Sequence, residues 1–309
     1  VQGVIAGFSV IAVVIGIGYL LGRTGTLGPS GRDVLSTLAF FVATPALLFE
    51  TLATADVGTV FSPTLVVTVA STVVAALVFV LVSWLVLRRS VAETTIGALT
   101  ASYVNAGNLG IPISVYVLGD AAYAAPIMIF QLVVMTPLSF AVLDTATAGR
   151  RRSLWRVFAQ PLRNPVTIAS FLGLGVALAG LPLPELVLQP FQLVGAMAVP
   201  AMLLAFGISL HGGGRPGSGR YKRDLWTAVA LKNLLQPVVA FLLARYALGL
   251  EGTMLLAATI TAALPTAQNI FVYAIRYDRA VDLARDAILI TTVVSVPVIV
   301  TITALLAPG

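Results

Sequence analysis

Five side-chain amides, Asn105, Asn108, Gln131, Gln268 and Asn269, stand in stretches otherwise built of hydrocarbon side chains. An amide in such surroundings must find a partner, because burying it unpaired costs roughly 2–7 kcal/mol. Four of the five sit beside helix-breaking residues. The first stretch is Asn105-Ala-Gly-Asn-Leu-Gly-Ile-Pro112, with Gly107, Gly110 and Ile111 before its proline; the second is Leu264-Pro-Thr-Ala-Gln-Asn269. Proline lacks an N–H, and its ring clashes with the carbonyl four residues back. A helix interrupted inside a membrane is tolerated only where the freed backbone groups face protein or a polar cavity. Interruptions that come in pairs point to a solute site.

Proline suits the first position of a helix. Pro112 and Pro265 are therefore expected to open half-helices whose amino ends meet in mid-membrane. Each such end carries roughly half a unit of positive charge, so two together would hold an anion without a fixed cation. Asn105, Asn108, Gln268 and Asn269 would then donate to a carboxylate. Gly110, Ile111, Pro112, Pro265 and Thr266 complete the expected substrate-binding stretch. A second reading stays open, in which the amides cap broken helices or tie helices together. Gln131 either faces the site or bonds a neighbouring helix, and Tyr273 reads as packing. Two ionisable residues fall inside apolar runs and are candidates for charge balance or coupling, Lys232 and Glu50. Lys232 could snorkel, pair with a carboxylate or balance substrate charge. Glu50 reads more readily as a scaffold or interface residue.

The elements that carry these residues follow from composition. A mean hydropathy of +1.01, with 59% hydrophobic and 10% charged residues, excludes an ordinary soluble domain. There is no cysteine and one histidine, His211, so no metal or cofactor is expected, and an intramembrane hydrolase lacks its nucleophile–base set. Apolar runs near the 20-residue bilayer length number ten, at about 4–22, 33–54, 63–87, 95–118, 122–143, 164–181, 188–210, 225–248, 252–275 and 286–306. The first reads as a membrane helix rather than a signal peptide. Of the 18 basic residues, all but Lys232 and Arg245 fall in alternate loops. The positive-inside rule places those loops in the cytoplasm and both termini outside. The loop His211–Asp224, HGGGRPGSGRYKRD, lacks the spacing of a phosphate cradle and reads as a flexible basic linker.

An internal repeat is also expected. Pro45 and Pro200 are 155 residues apart, and Pro112 and Pro265 are 153 apart. Two agreeing offsets near half the chain suggest two five-span units, and an odd number of spans makes the second inverted. The expected fold is all-α and polytopic, with ten transmembrane helices as two inverted repeats and breaks in helices four and nine. The first repeat would be 1–149, the basic cytoplasmic loop 150–163 and the second repeat 164–309.

With NAGNLGIP at Asn105–Pro112, LPTAQNIFVYAIRYD at Leu264–Asp278, prolines in spans two and seven, Gln131, and Lys232 with Pro237, the sequence resembles the auxin efflux carrier family. That group includes plant PIN-formed carriers and bacterial malonate-type transporters. The resemblance implies a fold like those of the NhaA antiporters and bile-acid symporters, with helices four and nine crossing at their prolines. It implies a scaffold of helices one, two, six and seven that forms a homodimer, and an elevator-like transport domain of helices three to five and eight to ten. It places Asn105 at the substrate. The long cytoplasmic loop of many plant carriers is absent, so regulation tied to it does not carry over.

The expected function is a secondary transporter of small organic anions, auxin-like or malonate-like carboxylates, in the plasma membrane. Its partners would be the anion and the lipid bilayer, with no nucleic acid. Two alternatives remain: a sodium- or proton-coupled symporter of the bile-acid type, and a membrane anion receptor that transports nothing. No span carries the buried carboxylate pair expected of a sodium or proton site, which favours uniport.

Overall fold

The computed structural model describes residues 2–54, 63–110, 113–119, 121–147, 165–211 and 216–306. The described residues are helical apart from turns, short connections and the two peptides of one isolated bridge. Eleven helices suffice for the account that follows. They are α1 (Gln2–Thr24), α2 (Gly31–Ala53), α3 (Pro63–Leu87), α4 (Val91–Ser102), α5 (Pro126–Thr147) and α6 (Pro165–Leu178). Then come α7 (Glu185–Leu210), α8 (Lys222–Ala247), α9 (Gly252–Ala263), α10 (Asn269–Tyr277) and α11 (Val281–Leu306). Six of them, α2, α3, α5, α7, α8 and α11, are long and apolar enough to cross a membrane. The basic loop 150–163 lies outside the described residues.

Prolines inside the long helices do not stop them. Thr44, Thr136 and Gln236 each donate their N–H to the carbonyl five residues back, those of Ala39, Gln131 and Leu231. Each of these wide turns immediately precedes a proline: Pro45, Pro137 and Pro237. One extra residue in the turn moves the carbonyl ladder away from the ring and lets the helix continue.

The helices pack in two groups. α1 lies along α7, and α6 and α7 lie along α2; α3, α4, α5, α8, α9 and α11 pack among themselves. The α1–α7 contact is close because both partners present glycine. A Cβ on Gly18 would sit 2.5 Å from the Leu204 carbonyl oxygen, and one on Gly207 would sit 2.2 Å from that of Ile15. Small residues give membrane helices the backbone proximity that a hydrophobic driving force gives in water. Large apolar side chains such as Leu77, Trp84, Leu138, Leu193 and Val293 point outward and are exposed, the surface a lipid-facing helix requires.

Charged groups gather where α4 and α8 begin. Ser90 caps α4 reciprocally with Glu93. Arg89 donates to both carboxylate oxygens of Asp224, at 2.9 and 2.8 Å. Tyr221 donates to Glu93 at 2.6 Å, and Arg220 pairs with the same carboxylate at 3.1 Å. Burial and that hydrogen bond push the Tyr221 phenol up to about 12, so it remains the donor. Gly217 N–H donates to Asp286, which also pairs with Arg285. The expectation of a flexible linker is therefore corrected for residues 216–224. Carboxylates on α4 and α11 bind its arginine, tyrosine and backbone groups, and its own Asp224 binds Arg89.

Candidate functional site

α4 stops at Ser102 without a proline. Tyr103 is extended, with φ −80° and ψ 110°, and helical turns resume over Ala106–Gly110. α9 stops at Ala263 for a different reason. Leu264 precedes proline and is held at φ −56°, ψ 145°, because the ring excludes the helical region for its predecessor. α10 resumes at Asn269.

The two extended peptides meet. Val104 and Thr266 face each other in an antiparallel bridge. Asn105 N–H donates to the Pro265 carbonyl at 2.8 Å, and Ala267 N–H donates to that of Tyr103 at 3.2 Å. Backbone groups freed by each break are thus partly satisfied by the other.

Two expectations are corrected here. Pro265 lies within the crossing peptide and does not open the half-helix, which starts four residues later. The crossing is antiparallel and centred on Val104 and Thr266, with Tyr103 opposite Ala267 and Asn105 opposite Pro265, so it does not fall at both prolines. Peptide hydrogen bonds set that register, and proline positions do not. Ile111 and Pro112 lie outside the described residues, and the break in this span stands at Tyr103–Asn105.

Neighbouring side chains hold each peptide in place. Gln131 on α5 accepts from Val104 N–H at 2.7 Å and donates to the Val104 carbonyl at 3.1 Å. It mimics the edge of another peptide. Thr266 N–H donates to the Thr291 hydroxyl on α11 at 3.1 Å, and the Thr266 hydroxyl donates to the Thr100 carbonyl at 2.7 Å. The carboxyl ends of both broken helices reach α8. Lys232 Nζ donates to the Ala262 carbonyl at 2.9 Å and to Gln236 Oε1 at 2.8 Å. Gln236 Nε2 donates to the Ser102 carbonyl at 3.1 Å.

Beside the crossing lies a cavity of about 250 Å³. The crossing forms one wall, through Asn105, Asn108, Gln268 and Asn269. The other wall comes from α2 and α7, including Thr44, Leu48, Thr51, Val199 and Met202. The amides at the crossing are organised around one atom, Gln268 Oε1. It accepts from Asn105 Nδ2 at 2.7 Å and from Asn108 Nδ2 at 3.2 Å. Turning the Gln268 amide over would set three NH₂ groups against one another, so its Nε2 must be the other end. That Nε2 is buried and has no hydrogen-bond partner; the same holds for Asn269 Oδ1. Asn269 Nδ2 donates to the Tyr273 hydroxyl at 3.0 Å. A partnerless donor and a partnerless acceptor thus stand on two residues of the cavity lining, at the start of α10.

Of the residues expected from sequence, Asn105, Asn108, Gln131, Gln268 and Asn269 line this cavity. Asn105 and Asn108 spend side-chain donors on Gln268, so they orient the site rather than offer those donors to a solute. Gln131 bonds both the N–H and the carbonyl of Val104. Gly110, Pro265 and Thr266 do not line it; Gly110 and Thr266 are packed behind the crossing. Lys232 does not snorkel. It is 0% exposed, because ten residues of α8 precede it and carbonyl oxygens lie closer than headgroups. Glu50 lies on α2 away from the lining. Sequence reading missed Thr44 and Thr51, which carry no signal beyond a hydroxyl in an apolar run. Tyr273 packs as expected, against Phe40 and Phe140, and its hydroxyl also accepts from Asn269, four residues away on the same helix face.

Long apolar helices around two interrupted ones, with amides in the wall of a cavity at the interruption, are the plan of a multi-pass membrane protein. The chain belongs to the membrane transport protein family, that of the auxin efflux carriers, whose sequence model matches residues 6–153 and 147–303. It is 27% identical to a protein of Rhizobium meliloti (strain 1021) described as a candidate malonate transporter, across 91% of this chain and 88% of that one. It is 26% identical to an uncharacterized transporter of Methanothermobacter thermautotrophicus, across 92% of each. A protein of Oryza sativa subsp. japonica named "Probable auxin efflux carrier component 9" is 32% identical over 149 residues, 47% of this chain and 34% of that one. These relatives are transporters and not enzymes.

Proposed function

We propose that the chain carries a small organic anion, a carboxylate, by alternating access of the crossing. The observation that carries this reading is the buried, unpartnered Gln268 Nε2 in a closed amide set at the cavity wall. A carboxylate oxygen there would accept from the Gln268 amide and would lie at the positive end of α10. A buried donor left unsatisfied costs about 1–3 kcal/mol, so a solute that satisfies it gains that much in affinity.

The wider reading is ten membrane helices in two inverted repeats, in the plasma membrane with both termini outside. The local two-fold exchange of hydrogen bonds at the crossing supports it. The α1, α2, α6 and α7 group would be the dimerising scaffold and the rest the moving domain; the cavity at their junction, between Gln268 on one side and Met202 on the other, supports an elevator-like step. Export of one negative charge, driven by an interior-negative potential of 100 mV, gains about 2.3 kcal/mol, enough for uniport.

The test is thermal unfolding of the purified protein against a panel of mono- and dicarboxylates, followed by uptake into liposomes of any that bind. A ligand of the folded state must raise the midpoint. Gln268→Leu is expected to weaken binding by about tenfold or more, the worth of a hydrogen bond to a charged group. Carboxylates that stabilise neither protein, or both equally, would remove the anion from this cavity.

A further inference from the structure

Lys232 is the one feature of the crossing that an anion site does not need. It belongs to the opposite side of the break, where α4 and α9 end. A helix carboxyl end carries roughly half a unit of negative charge, and here two such ends reach the same turn of α8. Ala262, in the last turn of α9, receives Lys232 Nζ directly. Ser102, the last residue of α4, receives Gln236 Nε2, and Gln236 Oε1 in turn receives Lys232 Nζ. The Thr72 hydroxyl on α3 also accepts from Gln236. Neither direct partner of the ammonium is a carboxylate; a carbonyl dipole and an amide oxygen are what it touches. In carriers with interrupted helices, half-helix carboxyl ends and unwound carbonyls are where a coupling sodium or proton is held.

We propose that the Lys232 ammonium is a resident cation, filling the place where a gradient-driven carrier would hold a dissolved one. Two half charges at the helix ends and one ammonium balance, and Gln236 shares that balance between α4 and α9. The crossing then keeps its electrostatics in every transport state without binding sodium. This inference rests on the transporter reading above, but its readout does not use an anion. Failure of carboxylate binding and failure of this proposal are therefore separate results.

The experiment is thermal unfolding of purified protein, free of carboxylates, in equal concentrations of sodium, potassium, choline or propylammonium chloride. The wild type is expected to show one midpoint in all four. Lys232→Ala opens space beside the Ala262 and Gln236 oxygens. Its midpoint is expected to fall in choline and to rise by roughly 3 °C in sodium or in propylammonium, which restores both stem and charge. Lys232→Met keeps the volume without the charge and is expected to respond to no cation. A folded Lys232→Ala that ignores every cation overturns the proposal, as does a sodium-specific shift in the wild type. Should Lys232→Ala fail to fold in choline yet be recovered in sodium or propylammonium, that is the expected rescue. Should it be recovered in none, the wild-type series decides.

Discussion

The two crossing peptides do the same job by different chemistry. At Tyr103–Asn105 no proline is present, and Val104 keeps an N–H that must be satisfied away from its own helix. Gln131 supplies the acceptor. At Leu264–Ala267 the proline has no N–H to satisfy, and the hydroxyl of Thr291 takes the remaining donor, that of Thr266. The first break is thus enforced from outside by a side-chain amide on α5. The second is enforced from within by a ring. Elsewhere, Pro45, Pro137 and Pro237 pass through continuous helices behind wide turns. Proline is therefore neither necessary nor sufficient for a break. What decides is whether a neighbour offers the freed backbone groups a partner.

This comparison can be broken by substitution, and the largest effect is expected at Gln131. Gln131→Leu removes the acceptor of Val104 N–H and one donor to its carbonyl, which retains Ala106 N–H. The cost is expected near the top of the range of about 1–3 kcal/mol for an orphaned buried group, read as a lowered unfolding midpoint. Thr291→Val orphans one N–H while preserving shape, and a loss of about 1–2 kcal/mol is expected from the same measurement. Pro265→Ala is expected to matter least, about 0.5–1 kcal/mol, mostly through the greater freedom of the unfolded chain. The pairing bonds use the Pro265 carbonyl and the neighbours' N–H groups, so the bridge to Val104 should survive. Pro265→Ala proving costlier than Gln131→Leu would reverse the assignment of which break is self-enforced. At the far end of the bundle, Ser90→Ala opens the cap of α4 and should cost about 1 kcal/mol without changing carboxylate affinity, a control for effects that act through stability alone.

Much of the site could be read from residue type. Amides beside glycine and proline in an apolar run had to be partnered, and all five found partners at or near one cavity. Their division of labour could not be read. Asn105 and Gln268 look equivalent as letters, yet one is spent on the other, because Gln268 Oε1 accepts two donors and leaves its own Nε2 over. The register of the crossing was also hidden, since proline spacing records where rings fall and hydrogen bonds record where peptides meet.

Chain composition by itself determined that this protein lives in lipid as a bundle of helices, because hydrocarbon leaves the backbone no other way to satisfy itself. The motifs determined that two of those helices would be interrupted near amides. Tertiary structure alone decided that the interruptions bond to each other at Val104 and Thr266, that Lys232 turns inward to a carbonyl instead of outward to headgroups, and that Thr44 and Met202 close the cavity. Each of these depends on which residues distant in the chain come within about 3 Å, the reach of a hydrogen bond, and that distance is set by packing.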